Sequence, residues 1–135
     1  MGKVNLDPYL FFDGKAEEAM NFYKGIFGGE LTLLTMDSMP GTDAKDAKRI
    51  MHALLDGEVR LMASDSHQAS PETSKIELSI GGDDEAKLRG WFDALAEGGT
   101  TKMTLEKVQW GDIYGQLKDK YGVEWMVNIS QPAGK

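Results

Sequence analysis

Glu77 stands in the run Lys75-Ile-Glu-Leu-Ser-Ile80. Its period of two predicts a strand with Ile76, Leu78 and Ile80 toward a core and Glu77 with Ser79 on the opposite face. A carboxylate in a partly apolar pocket could act as acid or base. An exposed glutamate on a solvated strand face is the other reading. His52 is the only histidine inside a predicted strand. Its imidazole could serve as general base or hydrogen-bond donor near neutral pH. It also suits a structural role in a sheet, since no partner is evident from the sequence. The second histidine, His67, lies in the polar run Asp65-Ser-His-Gln-Ala-Ser70 and reads as solvated.

Other residues could bind rather than react. Trp110, Tyr114, Trp125, Met62 and Met126 could give an apolar and aromatic lining of the kind found in small-molecule pockets. Ordinary core packing is the competing reading, and for Trp125 the safer one. Trp110, ahead of Gly111 at a strand end, is the better pocket residue. Arg60 could orient an anionic group through its planar fork, or simply lie on the surface of a hairpin. Asp65 could contact a ligand or cap the polar loop that follows it.

The elements that must position these residues are written twice. Residues 21–34 (NFYKGIFGGELTLL) are answered by residues 90–103 (GWFDALAEGGTTKM), and an offset of 69 lays Phe22 on Trp91, Tyr23 on Phe92 and Ile26 on Leu95. An offset of 64 lays Val59 on Val123, Leu61 on Trp125 and Met62 on Met126. Such a repeat means two copies of one supersecondary unit. Strands are expected at 5–12, 30–36, 49–56 and 58–64, then at 75–81, 100–108, 112–118 and 123–129. Helices are expected at 16–27 and 84–97. Ala19, Phe22, Tyr23 and Ile26 face inward on the first, and Leu88, Trp91, Phe92 and Leu95 on the second. Gly28-Gly29 and Gly98-Gly99 end them. The order is βαβββ, twice, over about residues 5–65 and 74–130, and the class is α+β.

Composition bounds the function. The 135 residues are 41% hydrophobic and 9% aromatic, enough to bury a core as one domain or two fused half-domains. A formal charge of −7 argues against nucleic acid or anionic membrane as partner. The absence of cysteine removes disulfides, thiolate catalysis and cysteine-bound metals. Neither a signal peptide nor a transmembrane run is read, so a cytoplasmic protein is expected. The glycine pairs do not open helices with G-x-G spacing, and neither a P-loop nor a G-x-S-x-G elbow is present.

The chain resembles the glyoxalase/bleomycin-resistance, or vicinal oxygen chelate, superfamily, and within it the PhnB-like branch. That branch is often given a demethylubiquinone methyltransferase label, which the glycine spacing here does not support. The resemblance is carried by Pro8-Tyr-Leu-Phe-Phe-Asp-Gly14, Glu18-Ala19 with Phe22-Tyr23, Ile50-Met-His-Ala53 and Leu61-Met-Ala-Ser-Asp65. Further on it is carried by Trp110-Gly111, Tyr114-Gly115, Asp119-Lys-Tyr-Gly-Val123 and Trp125-Met-Val-Asn128. It implies that each module curls a mostly antiparallel, mixed sheet around a cavity whose lining includes the Glu77 face, and that the chain forms homodimers.

Enzymes of this superfamily usually hold a divalent metal on His, Glu or Gln from the first and last strands of each module. Carried onto this chain, those positions are Pro8, Met62, Glu77 and Met126, and a one-residue shift would bring in Asp7 or Asp65. Only Glu77 of the four suits a hard or borderline metal. The expectation is therefore no metal and no cofactor. The leading reading is a protein that binds a small, planar or aromatic molecule. The alternative is an isomerase, lyase or dioxygenase-like enzyme using Glu77 and His52 as acid and base, with or without a metal. A third, weaker reading is a chain that shares the fold with its cavities filled.

Overall fold

Proline cannot donate to a ladder, and the first strand begins directly after Pro8 rather than at residue 5. The computed structural model describes residues 5–38, 40–66 and 76–131. The chain divides into two units, Met1–Ser70 and Pro71–Lys135. The first holds β1 (Tyr9–Phe12), α1 (Ala16–Phe27), β2 (Glu30–Thr35), β3 (Ile50–Asp56) and β4 (Leu61–Asp65). The second holds β5 (Leu78–Gly82), α2 (Glu85–Ala96), β6 (Thr100–Lys107), β7 (Ile113–Lys118) and β8 (Glu124–Ile129). The run between β2 and β3 carries two short 3-10 turns, Met36–Ser38 and Ala44–Asp46.

Both units use one topology. The sheets run β1-β4-β3-β2 and β5-β8-β7-β6, with the first pairing of each parallel and the others antiparallel. This is an α+β fold of two βαβββ modules. The parallel step needs a crossover, and in each unit the helix and two strands supply it.

The helices are amphipathic; the buried face of α1 is rotated from the sequence expectation, and that of α2 matches it except at Trp91. On α1 the buried stripe is Ala16, Ala19, Met20, Tyr23 and Phe27, and Phe22 and Ile26 are only half-buried. On α2 it is Leu88, Phe92 and Leu95. Trp91 lies half-exposed, with the Lys87 ammonium 5.7 Å from its ring. Ala53, Leu55, Leu61 and Ala63 are buried beneath α1, and Gly115, Leu117, Trp125 and Val127 take the corresponding places beneath α2. Both helices sit where the chain must turn sharply onto a hairpin end. At Gly29 (φ +96°) an added Cβ would stand 2.7 Å from the Asp56 carbonyl oxygen, and at Gly99 one would stand 2.3 Å from that of Lys118. The two glycine pairs thus let the helix ends approach backbone closely.

The ladders correct the repeat arithmetic. The helices correspond by 69, Ala16–Phe27 to Glu85–Ala96. The strands do not. Leu31 faces Leu55 as Thr101 faces Leu117, and Tyr9 faces Met62 as Ser79 faces Met126, both offsets of 70. The partner of Glu77 by position is therefore Asp7, not Pro8. One residue fewer separates the strand from the helix in the second unit, and one more follows the helix.

Candidate functional site

Alternation gives each sheet a face turned away from its helix. In the second unit that face carries Ser79, Met126, Asn128, Tyr114, Gln116 and Glu106, as the β5-β8-β7-β6 register requires. The side chains join into a strip. Trp110 meets Tyr114 edge-on, with ring centroids 5.7 Å apart. The Tyr114 hydroxyl donates to Met126 Sδ at 3.4 Å and accepts from Gln116 Nε2 at 2.9 Å. The Trp110 indole N–H donates to Asn128 Oδ1 at 3.4 Å, and Asn128 Nδ2 donates to Asp112 at 3.0 Å. Trp110 remains 59% exposed, a large apolar surface with its polar edge held. Trp125 points the other way and is buried, its indole donating to Asp119 at 2.9 Å.

Glu77 lies just ahead of β5, half-buried. The alternation expected for its strand begins only at Leu78, because Ile76 is 71% exposed rather than turned to a core. Lys102 from β6 approaches Glu77 Oε2 at 3.8 Å and donates to Glu124 Oε1 at 2.6 Å. The hydrogen bond that Lys102 donates to Glu124, helped by the charges of Glu124 and Glu77, holds the Lys102 ammonium above the ordinary lysine range, although partial desolvation acts the other way. Glu77 Oε1 is withdrawn from solvent and has no hydrogen-bond partner among the described residues.

In the first unit the corresponding face carries Tyr9, Met62, His52, Leu54 and Leu34. His52 Nδ1 and the Tyr9 hydroxyl are 3.1 Å apart, and the Tyr9 ring lies 5.8 Å from His52 and 5.1 Å from Phe11. His52 therefore has a partner that the sequence did not reveal. Arg60 is tied down, its Nε at 3.0 Å from Asp7 and its Nη1 at 3.1 Å from Asp56, and the Asp7 hydrogen bond raises its already high pKa. Asp65 lies beneath α1 and is 5% exposed. Its two oxygens accept the Ala16 amide at 3.0 Å and the Ile50 amide at 2.9 Å, which is a structural role. His67 lies outside the described residues.

The structure thus groups Trp110, Tyr114 and Met126 on one face, and Met62 with His52 on the other sheet. His52 and Glu77 belong to different units. Sequence reasoning missed Tyr9, Gln116, Lys102, Glu124 and Asn128. The period of two that reaches Met126 also passes through Glu124 and Asn128, so those two were accessible; the reach of Lys102 across the sheet was not.

A divalent ion would need hard donors at these places. The register offers Tyr9 with Met62 and Ser79 with Met126, while Asp7 is taken by Arg60 and Glu77 neighbours Lys102. Phenol, hydroxyl and thioether groups do not suit zinc, magnesium or iron(II). Among the described residues no three His, Asp or Glu side chains gather into a possible metal site.

The family model for the Glyoxalase/Bleomycin resistance protein/Dioxygenase superfamily matches residues 5–127. Protein PA1353 of Pseudomonas aeruginosa is 36% identical, with a TM-score of 0.84 over 96% of this chain and 100% of its own. The PhnB protein of Bacillus cereus is 28% identical, with a TM-score of 0.74 over 94% of this chain and 100% of its own. Protein YjdN of Escherichia coli is 29% identical over 92% of this chain and 94% of its own.

Proposed function

Since the chain belongs to the Glyoxalase/Bleomycin resistance protein/Dioxygenase superfamily, in its PhnB-like branch, we propose that it binds a small planar molecule on the helix-averted face of its second sheet, without a divalent metal. The observation that carries this reading is the continuous strip of Trp110, Tyr114, Met126, Gln116 and Asn128. Exposed aromatic area beside a few oriented polar groups is what flat ligands select. The donor chemistry at the ladder positions supports the metal-free part of the reading.

Saturation-transfer NMR with phenol and quinoline tests the site. Signal transfer to both probes is expected with the wild-type chain and should fall several-fold in a Trp110→Ala, Tyr114→Ala double variant that keeps its fold. Equal transfer in the two proteins would place binding elsewhere and end this reading.

The hydrogen bond between Tyr9 and His52 favours a second reading, an enzyme in which His52 moves a proton. Positioned by Tyr9, His52 meets the first requirement of a general base, a fixed orientation. Replacing His52 by Gln should then abolish any turnover while leaving phenol and quinoline binding at the second sheet intact. Under the binding reading it changes neither.

A further inference from the structure

Phe11 faces Ser64 across the β1-β4 ladder as Gly81 faces Asn128 across β5-β8. Both pairs lie on the helix-averted faces. The next residues along, Phe12 and Gly82, turn the other way: Phe12 is buried, and a Cβ added at Gly82 would stand 3.6 Å from Leu88 of α2. In the first unit the place is filled by the Phe11 ring, 5.1 Å from that of Tyr9, and Ser64 opposite it is 8% exposed. In the second unit the same place is bare backbone, exposed at Gly81 and half-buried at Asn128. A Cβ added at Gly81 would meet nothing nearer than the Asn128 carbonyl oxygen, at 3.7 Å. The first sheet covers this spot with its own side chain, and the second leaves it open beside the strip.

The polar groups along this row point to what would lie there. Gly81, Asn128 and Tyr114 are neighbours across β5, β8 and β7. Gln116 Nε2 donates to the Tyr114 hydroxyl, whose own proton goes to Met126 Sδ, a weak thioether acceptor. The Trp110 indole can only donate and an ionised Asp112 can only accept, which fixes the Asn128 amide in one orientation. One proton of that amide goes to Asp112, and the other has no acceptor among the described residues. Two donors thus lack a strong acceptor. Carboxylates stand close by, Asp112 on Asn128 and Glu106 opposite Tyr114, so a neutral acceptor suits the row better than an anion.

We propose that the ligand of the strip is an uncharged aromatic ring conjugated to a carbonyl, as in an aryl ketone. The ring lies over Gly81, where Phe11 lies over Ser64, and the carbonyl oxygen accepts from Tyr114 and Asn128. The row spans two strand spacings, about 10 Å, which gives room for both parts. This assignment rests on the strip being the ligand site, and the test separates the two.

The probes are acetophenone, α-methylstyrene, which has a methylene in place of the oxygen, and benzoate, which adds a charge. Each is titrated into the whole protein while amide shifts are followed. Acetophenone should shift the Gly81 backbone amide and the Asn128 side-chain amide, with an affinity about tenfold above that of either other probe, as ordinary hydrogen bonds imply. Tyr114→Phe should shrink that preference. Gly81 is exposed in ordinary strand backbone, so Gly81→Phe copies the first unit without strain and should weaken acetophenone at least tenfold. Equal affinities for acetophenone and α-methylstyrene, or a preference for benzoate, would overturn the carbonyl assignment and leave the strip in place. Undiminished binding to Gly81→Phe would overturn the placement over Gly81. No shifts on the strip with any probe would overturn both this assignment and the strip itself. If Gly81→Phe does not fold, Gly81→Leu must weaken acetophenone instead; an unchanged affinity contradicts the proposal.

Discussion

Asp65 and Lys102 show how far a residue's role depends on what the fold brings to it. From sequence, Asp65 could contact a ligand or cap the loop after it; in the fold it accepts the first amide of α1 and the first of β3 instead. Asp65→Ala leaves two buried amides without an acceptor and should cost about 3 kcal/mol, read from urea unfolding midpoints. Asp65→Asn retains one good acceptor and should cost clearly less. Lys102 illustrates the opposite case, a side chain with no signature in its own segment. Its raised folded-state pKa means its contribution to stability is fully present below the ordinary lysine value of about 10.4 and is lost as pH rises through the higher folded value. The stability gap between wild type and Lys102→Gln should therefore be constant near neutral pH and close at strongly alkaline pH. A gap that persists there would mean that Lys102 acts through packing alone.

At the scale of elements, most of the fold was legible. Helical spacing and the Gly-Gly stops marked α1 and α2, and alternation with turn residues marked the strands. Register was not legible, because it is set by loop lengths. The helices repeat at 69 and the first two strands of each unit at 70, so a count anchored on the helix reached Pro8 where the ladder reaches Asp7. The candidate site suffered accordingly. Trp110, Tyr114 and Met126 were found because residue type and strand-end position suffice to suggest a pocket. Tyr9 and Lys102 were missed because their partners lie 22 or more residues away in sequence, whereas Glu124 was within reach of the alternation through Met126. One element-level prediction concerns Gly115, the counterpart of Ala53. An added Cβ there would stand 2.9 Å from the Phe92 ring and 3.0 Å from the Met103 carbonyl oxygen. Gly115→Ala should cost roughly 1–3 kcal/mol by overpacking, whereas Ala53→Gly should cost less. Equal unfolding midpoints for wild type and Gly115→Ala would show that α2 can shift aside freely.

For the molecule as a whole, the same donor argument predicts that stability is independent of divalent ions. Thermal midpoints with and without a chelator should coincide, since a bound ion would stabilise by mass action and its removal would lower the midpoint. A homodimer is the assembly we propose, because Phe11 (58% exposed) and Leu34 on the first sheet are large apolar groups left open. Light scattering at micromolar concentration should return twice the chain mass, and a monomer would contradict it. The central claim, a metal-independent ligand site on the second sheet, is tested most directly by amide shift mapping of chelator-treated protein titrated with quinoline. The account predicts shifts centred on the Trp110 indole and the Gln116 and Asn128 side-chain amides, unchanged when zinc or magnesium is added. Shifts confined to other residues, or appearing only with the metal present, would contradict it.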